Sequence, residues 1–514
     1  VMNVPEGEIN VEFPDPRLAE QSFTSRLETS FFTRPFTHPT FILNPDRLAV
    51  LEWEQTEYAQ VPQPPKEQPR YYIGDGLYTF SGIDYPLQDF PHTITLEKGR
   101  TTTKTRVGPV PIPNSEQRLQ VISRLRDAQQ TTDYARRWLR FTPGDLVALG
   151  WYMTDAKDDD ALAFLRERLG DRPLLVDWHR LYQSKMERAH PQQDLRPEYR
   201  KLVAETKEAP DALYLLGRIE DLDKGDELFR KAATANPPSA YAIYAVGYRC
   251  LNQGQFQEAV SWMQKADALS PENMLIHHYY DEALFAAGQY DRLLDRLKGQ
   301  PQGLGDNLSL LAQRLRVYAA KGDKDSIRST LAQVDQFLTS PEAKAVQPVV
   351  HAQMDIIVRL SARDEAGYLK DLAAIPDAPV FHATLLRGKV EDAATKIADA
   401  DSDEAIVEHG LVHLAALKAR KQKLADDELR KLVRALGKGD REQRQLAGML
   451  AQSQKLDTNL LRRTPIDPRI KRVVLAVAAK LTSPENGKEL ASLARKLDFF
   501  RDATSLCLWK ILEK

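Results

Sequence analysis

The sequence predicts a mainly α-helical fold, an α–α superhelix of stacked helical hairpins, with a smaller β-rich and proline-rich region at its N-terminal end. Three observations predict it. Glycines recur at Gly254, Gly288 and Gly322, 34 residues apart each time. From about Ser115 to the C-terminus the chain is a succession of amphipathic segments of roughly a dozen residues, broken at Gly, Pro or Asp-Lys clusters. Before residue 113 proline is frequent, aromatic and β-branched residues cluster, and long helical periods are absent. A repeat array also accommodates 514 residues without one oversized core.

Residues 1–112 are expected to form an extended arm and a small β-rich region. Prolines stiffen VPQPPKEQP and VGPVPIPN. Strands are expected at 48–53, at 71–73 and 77–80 across Gly74-Asp75-Gly76, and in HTITLE and TTTKTRV on either side of Lys98-Gly99. The glycine of each dipeptide supplies the positive φ that a tight hairpin needs. Residues 113–237 read as degenerate helical hairpins, marked by Gly150 with ALAFLRERL, and by Gly217, Ala232 and Pro237 in a unit about four residues short. The run Asp155-Ala-Lys-Asp158-Asp159-Asp160 is expected to turn the chain and cap a helix beginning at Ala161, where negative charge is favourable.

Residues 238–338 carry the regular units. Five residues after each repeat glycine stands Ala259, Leu293 or Ile327, and nine after it Met263, Leu297 or Leu331. Glycine ends the first helix where φ must be positive, and the two apolar residues, one turn apart, face the partner helix. Residues 339–514 hold degenerate copies: Gly388, Ala393 and Ile397 restore the spacing, as do Asp498, Ala503 and Cys507. The end, ATSLCLWKILEK, keeps an apolar stripe of Leu506, Leu508, Trp509, Ile511 and Leu512 where a repeat array normally carries a polar cap. That stripe is expected to pack back on the protein, to meet a partner, or to continue into a longer chain.

The copy from Ala240 to Asn273 carries Gly247, Gly254, Ala259, Met263, Ala266 and Pro271. In these it resembles the tetratricopeptide repeat family, whose 34-residue unit places small residues at the first glycine and at both alanines, and proline at its end. The usual tryptophan is replaced by Ile243 and the first-helix tyrosine by Cys250. The next two copies have Asp281 and Leu315 in place of the first glycine.

The resemblance implies that the first helix of each unit lines a concave groove for an extended segment of a partner protein. The candidate binding residues are therefore Tyr241, Tyr244, Tyr248 and Asn252 in one unit, His278, Glu282 and Phe285 in the next, and Arg316 in the third. Tyrosine offers rigid contact area at low entropic cost. The stripe Ile243, Val246, Gly247 and Cys250 is expected to pack against neighbouring helices, and the bland alternative makes the tyrosines inter-repeat filler as well. The peptide-carboxylate version of this groove uses lysine and asparagine where Tyr244 and Tyr248 stand, so a chaperone-tail receptor is disfavoured.

The other chemistries are set aside. Residues 418–473 hold sixteen Lys or Arg against seven Asp or Glu, but no aromatic residue interleaves, so nucleic-acid binding is disfavoured and solvated helix faces are expected. His409-Gly-Leu-Val-His413 has zinc spacing without the glutamate of HExxH or a third ligand, and His277, His278, Asp281 and Glu282 fall equally short of a full site. The acidic run lacks the alternation of a calcium loop, and Gly74-Asp-Gly76 is too short to cradle phosphate. No catalytic residues, metal or cofactor are expected, and the chain is expected not to be an enzyme.

The function expected is a protein-interaction scaffold. The alternatives are a regulatory or targeting portion of a larger enzyme, and a structural subunit assembling through the C-terminal face. No apolar run reaches 18 residues, so no transmembrane segment is expected. Cys250 and Cys507 sit in apolar helical contexts and no signal-peptide pattern opens the chain, so the cytoplasm is slightly favoured. The chain opens on Val, which leaves an exported or periplasmic setting open.

Overall fold

A computed structural model describes residues 146–512, apart from short breaks at 272, 299–303, 339–340, 376–377, 379, 398–401 and 453–455, and short isolated segments before residue 146. The expected arm and β-rich region lie outside the residues described in side-chain detail. The described part from residue 146 onward is helical, and neighbouring helices pack in sequence order, as a helical solenoid requires. The chain divides after Tyr182 into two units.

The first unit contains α1 (Leu146–Asp155), α2 (Asp158–Arg166) and the start of α3 (Val176–Ala189). Its core is aromatic: the Tyr152 and Phe164 rings lie 4.6 Å apart, and the Phe164 and Trp178 rings 5.2 Å apart. Helix α2 begins at Asp158, three residues before the position expected. Asp158, Asp159 and Asp160 thus form its first turn, where carboxylates still meet the positive helix end.

The second unit continues with α4 (Arg196–Glu205), α5 (Pro210–Gly217) and α6 (Leu222–Ala233). Three hairpins follow at the expected period: α7 (Ala240–Asn252) with α8 (Phe256–Leu269), α9 (Met274–Ala286) with α10 (Tyr290–Arg296), and α11 (Leu304–Lys321) with α12 (Lys324–Phe337). Gly254, Gly288 and Gly322 have φ of +72°, +70° and +74°, the left-handed backbone the spacing demanded. Ala259, Met263, Leu293 and Leu297 are buried, while Ile327 and Leu331 pack against the cluster of Leu311, Leu315 and Val334. A Cβ on Gly247 would lie 3.1–3.2 Å from Trp262 and Met263, so glycine there permits the close approach of α7 and α8. A side-chain cap starts one helix of each hairpin: Ser239 for α7, Asn273 for α9 and Asp323 for α12 accept from the backbone N–H groups of their first turns.

Farther on come α13 (Pro341–Ser361), α14 (Glu365–Leu372), α15 (Phe381–Leu386) and α16 (Val390–Ala394), with Gly388 again at φ +77°. The chain continues through α17 (Asp403–Lys418), α18 (Gln422–Gly437), α19 (Arg441–Ala451), α20 (Thr458–Arg463), α21 (Pro468–Leu481), α22 (Pro484–Lys496) and α23 (Ala503–Leu512).

The C-terminal face is not bare. Helix α23 packs on α15 and α17, burying Leu506, Cys507 and Leu508, and Lys510 donates to the Leu386 carbonyl at 2.6 Å. Of the expected stripe, Trp509, Ile511 and Leu512 stay half-buried. The later helices also reach back to the earlier hairpins. Phe499 meets Phe256 at 5.5 Å between ring centres, the Arg441 guanidinium donates to the Ile219 carbonyl at 2.7 Å, and Arg463 pairs with Asp223 and Asp226.

Candidate binding face

The candidate residues lie on the first helices of consecutive hairpins, and the structure brings most of them together. Tyr248, Glu282 and Arg316 occupy one repeat position, each 34 residues from the last. Arg316 clasps Glu282 through both guanidinium ends, at 2.6 and 2.9 Å, and lies 3.9 Å from the centre of the Phe285 ring. This fork geometry suits a carboxylate, and the aromatic face adds a cation–π contact. Glu282 and Phe285 are buried. His278 is exposed and meets Tyr279 edge-on at 5.2 Å.

Two of the tyrosines are closed in. Tyr241 and Tyr244 are each 8% exposed, close to the 7% of Val246 on the stripe behind them. Tyr241 stacks on Tyr214 of α5 at 5.5 Å, and its hydroxyl accepts from Asn273 Nδ2 at 2.5 Å. It joins three successive hairpins, which is the inter-repeat packing role. Tyr244 and Tyr248 form a cluster with Tyr279, at ring separations of 5.1–5.9 Å. Sequence reasoning missed Tyr279, although its place beside His278 on α9 put it within reach of the Tyr244–Tyr248 side of α7.

Residues about 220 positions downstream reach the end of α7. Lys471 of α21 donates its ammonium to the carbonyl of Asn252, the last residue of α7, at 2.9 Å, and to the Arg462 carbonyl at 2.8 Å. Helix α20 touches α7. Asp467, just ahead of α21, is close enough for its charge to raise the hydroxyls beneath it. Tyr248 is pushed well above the ordinary tyrosine range, first by burial and then by its tyrosine neighbours and Asp467. Tyr279 is pushed up to about 12 by burial and Asp467. Asn252 is fully buried, and its Oδ1 has no hydrogen-bond partner among the described residues. Tyr241, Tyr244 and Asn252 are buried and do not line an open groove; the half-buried Tyr248 and Arg316 and the exposed His278 are the parts of the face that keep solvent contact.

Most of the described residues of the basic stretch lie on solvated helix faces, as expected, and several of them are paired there. Lys421 pairs with Glu391, Lys431 with Glu428, Arg444 with Glu187 and Arg462 with Glu489. Lys471 and Arg472 are 1% exposed. Arg472 donates to Asp498 at 2.9 Å, to Ser505 at 2.6 Å and to both Asp502 oxygens at 2.7 Å.

The histidine pair packs inside the α17–α18 hairpin, with His409 Nδ1 2.6 Å from Glu428 and His413 Nδ1 2.8 Å from the Ala425 carbonyl. His277, Asp267 and Asp281 belong to a network centred on Arg296, which bonds Asp267 at 2.8 Å and Asp281 at 2.7 Å. Among the described residues no group of three His, Cys, Asp or Glu side chains is placed to hold a metal ion, and no helix is long and apolar enough to cross a membrane.

No family model matches the chain. It is similar to the poly-β-1,6-N-acetyl-D-glucosamine export proteins of Escherichia coli K12 and Escherichia coli O157:H7, with 27% identity over 165 residues in each case. The shared stretch is 32% of this chain and 20% of each relative, so the chain matches about a fifth of the length of these curated relatives.

Proposed function

We propose that this chain is a non-catalytic scaffold of tetratricopeptide-like repeats that binds a segment of another protein. The observation that carries the reading is the register of its first helices. Three hairpins at a 34-residue period place Tyr248, Glu282 and Arg316 at one position, and so build a continuous face from short local units. Its likeness to export proteins supports a setting in which the partner belongs to polymer-export machinery. In this reading residues 1–112 form an arm and a small β-rich region, 113–237 and 339–514 are degenerate repeats, and 238–338 are the regular units. The antiparallel backbone pairing of His92–Lys98 with Thr101–Val107 supports the β-rich part.

Photo-crosslinking tests the proposal. A benzophenone amino acid at His278, on the first-helix face, should give discrete adducts with one partner in cells of the source. The same group at Lys265, exposed on a second helix, should give none. Equal adducts at both positions, or none at His278, would refute the reading.

A further inference from the structure

We propose that the cleft between α22 and α23 is a binding site for a small apolar carboxylate, whose anion the Arg363 and Arg495 guanidiniums hold while its alkyl or aryl body lies against Trp509. The inference goes beyond the scaffold reading and does not depend on it.

The two helices build matching walls. Ala494, Arg495 and Asp498 stand at i, i+1 and i+4 along α22 and its end, and Leu508, Trp509 and Leu512 repeat that spacing on α23. The turn between α13 and α14 adds Arg363. Together they line a cleft of about 520 Å³, a volume within the range of small-molecule sites. Trp509 and Leu512, the half-buried remainder of the C-terminal stripe, are thus part of its wall.

The charges in the lining select the ligand. Arg363 and Arg495 face one carboxylate, Asp498, so the lining carries one positive charge in excess. Asp498 is already committed, because its Oδ1 accepts from Arg472 at 2.9 Å. Its Oδ2 lies 3.6 Å from Arg363, too far for a hydrogen bond. Arg495 makes one hydrogen bond among the described residues, a long one of 3.4 Å to the Leu512 carbonyl. Both guanidiniums therefore keep donors for an anion, and the arginine fork suits a carboxylate. The Trp509 ring offers an apolar body a flat surface, and the Arg363 guanidinium lies 5.8 Å from its centre.

Arg363 is not needed to hold its turn in place. It stands at φ +56°, in the turn position that Gly254, Gly288, Gly322 and Gly388 take in other hairpins, so its side chain is kept against backbone strain. The tie from this turn to the chain ahead of α23 is made by Arg501, which donates to the Ser361 carbonyl at 2.8 Å.

Octanoate serves as the probe. In protein isotope-labelled at tryptophan, it should shift the indole N–H signal of Trp509 saturably and ahead of the other tryptophans, with the signal assigned by its loss in Trp509→Phe. Octanamide, of the same shape without the charge, should bind at least about tenfold more weakly, and Arg495→Gln should weaken octanoate by a similar factor. Arg363→Gly should also lose about tenfold in octanoate affinity, yet its melting midpoint should stay level or rise, because glycine relieves the positive φ. If Arg363→Gly fails to fold, Arg495→Gln decides, since that side chain is exposed. The proposal is overturned if octanoate leaves Trp509 unmoved or octanamide binds as well. It is equally overturned if Arg363→Gly binds octanoate unchanged, or if its affinity and melting midpoint fall together. The titration involves no protein partner, so its failure leaves the His278 crosslink result untouched.

Discussion

Arg472 is the residue whose removal should cost most per atom. It is buried on all sides and is bonded to Asp498, Ser505 and Asp502, which tie α21 to the segment leading into α23. Truncation to Ala removes the one guanidinium among the described residues that reaches both carboxylates at hydrogen-bond distance, and it strands the buried Asp498 beside the partly exposed Asp502. Breaking a buried pair from one side costs about 3–5 kcal/mol, because the stranded charge keeps its desolvation penalty. At roughly 2–4 °C per kcal/mol for a unit of this size, the melting midpoint should fall by about 10 °C.

The pH dependence carries a sign. Arg472 and the Ser505 N–H hold the Asp502 carboxyl below its usual range despite burial. That stabilisation is fully present above the ordinary carboxylate pKa and is lost as pH falls through the lowered value. Asp498 goes the other way: burial raises it although Arg472 opposes the rise, so its ionised form is the costlier one to strand. The deficit of Arg472→Ala should thus be widest near pH 7 and should narrow as both carboxylates protonate in acid. Urea titrations followed by circular dichroism at pH 7 and pH 4 measure this directly. A loss below about 1 kcal/mol at pH 7, or a deficit that does not shrink in acid, would refute the argument.

Three further outcomes are expected. Gly254→Ala and Gly288→Ala should both destabilise by about 1 kcal/mol through φ strain. Gly254→Ala should cost more, since its Cβ would stand 3.3 Å from Leu493 and Lys496 while that of Gly288 meets open space; equal melting midpoints would contradict this. Asp440 caps α19, and its pKa is pushed up to about 6 by burial, with Glu442, Glu187 and Asp403 adding to it. Its ionised form costs stability as pH rises from the usual 3.8 through about 6, so Asp440→Asn should gain up to about 3 kcal/mol above pH 6 and nothing below pH 4 in paired denaturant titrations. A double-mutant cycle of Glu282→Gln and Arg316→Met, read by urea titration, should return a coupling of about 1–3 kcal/mol, and additivity would show that the clasp contributes nothing.

The repeat was legible because each of its determinants is local. Positive φ at Gly254, burial of Ala259 and Met263, and close approach at Gly247 all lie within one 34-residue unit, so periodicity in the sequence carried them. The same register placed Glu282 opposite Arg316. Exposure of the tyrosine face was not legible in this way. Nothing near Tyr248 records that Lys471 will lie at the end of its helix, because that contact spans more than two hundred residues and depends on the accumulated turn of many hairpins.

Even so, the sequence around Lys471 held a signal that composition obscured. Counted over residues 418–473, the basic excess reads as a solvated surface. Read by helix face, Lys471 and Arg472 do not belong to it. In α21 the stretch Ile470–Ala478 is buried at every position, because Val473-Val474-Leu475-Ala476-Val477-Ala478 presents no polar side to water. A helix that is apolar all round belongs in the interior, and it takes its first turn with it. Lys471 and Arg472 directly abut that run, so they could not both reach solvent. Each had to find acceptors inside: two carbonyls for the ammonium, two carboxylates and a hydroxyl for the guanidinium. Paired basic residues at the mouth of an all-apolar helix thus mark where a distant segment closes on the fold, and here Lys471 closes on the end of α7 at the Asn252 carbonyl.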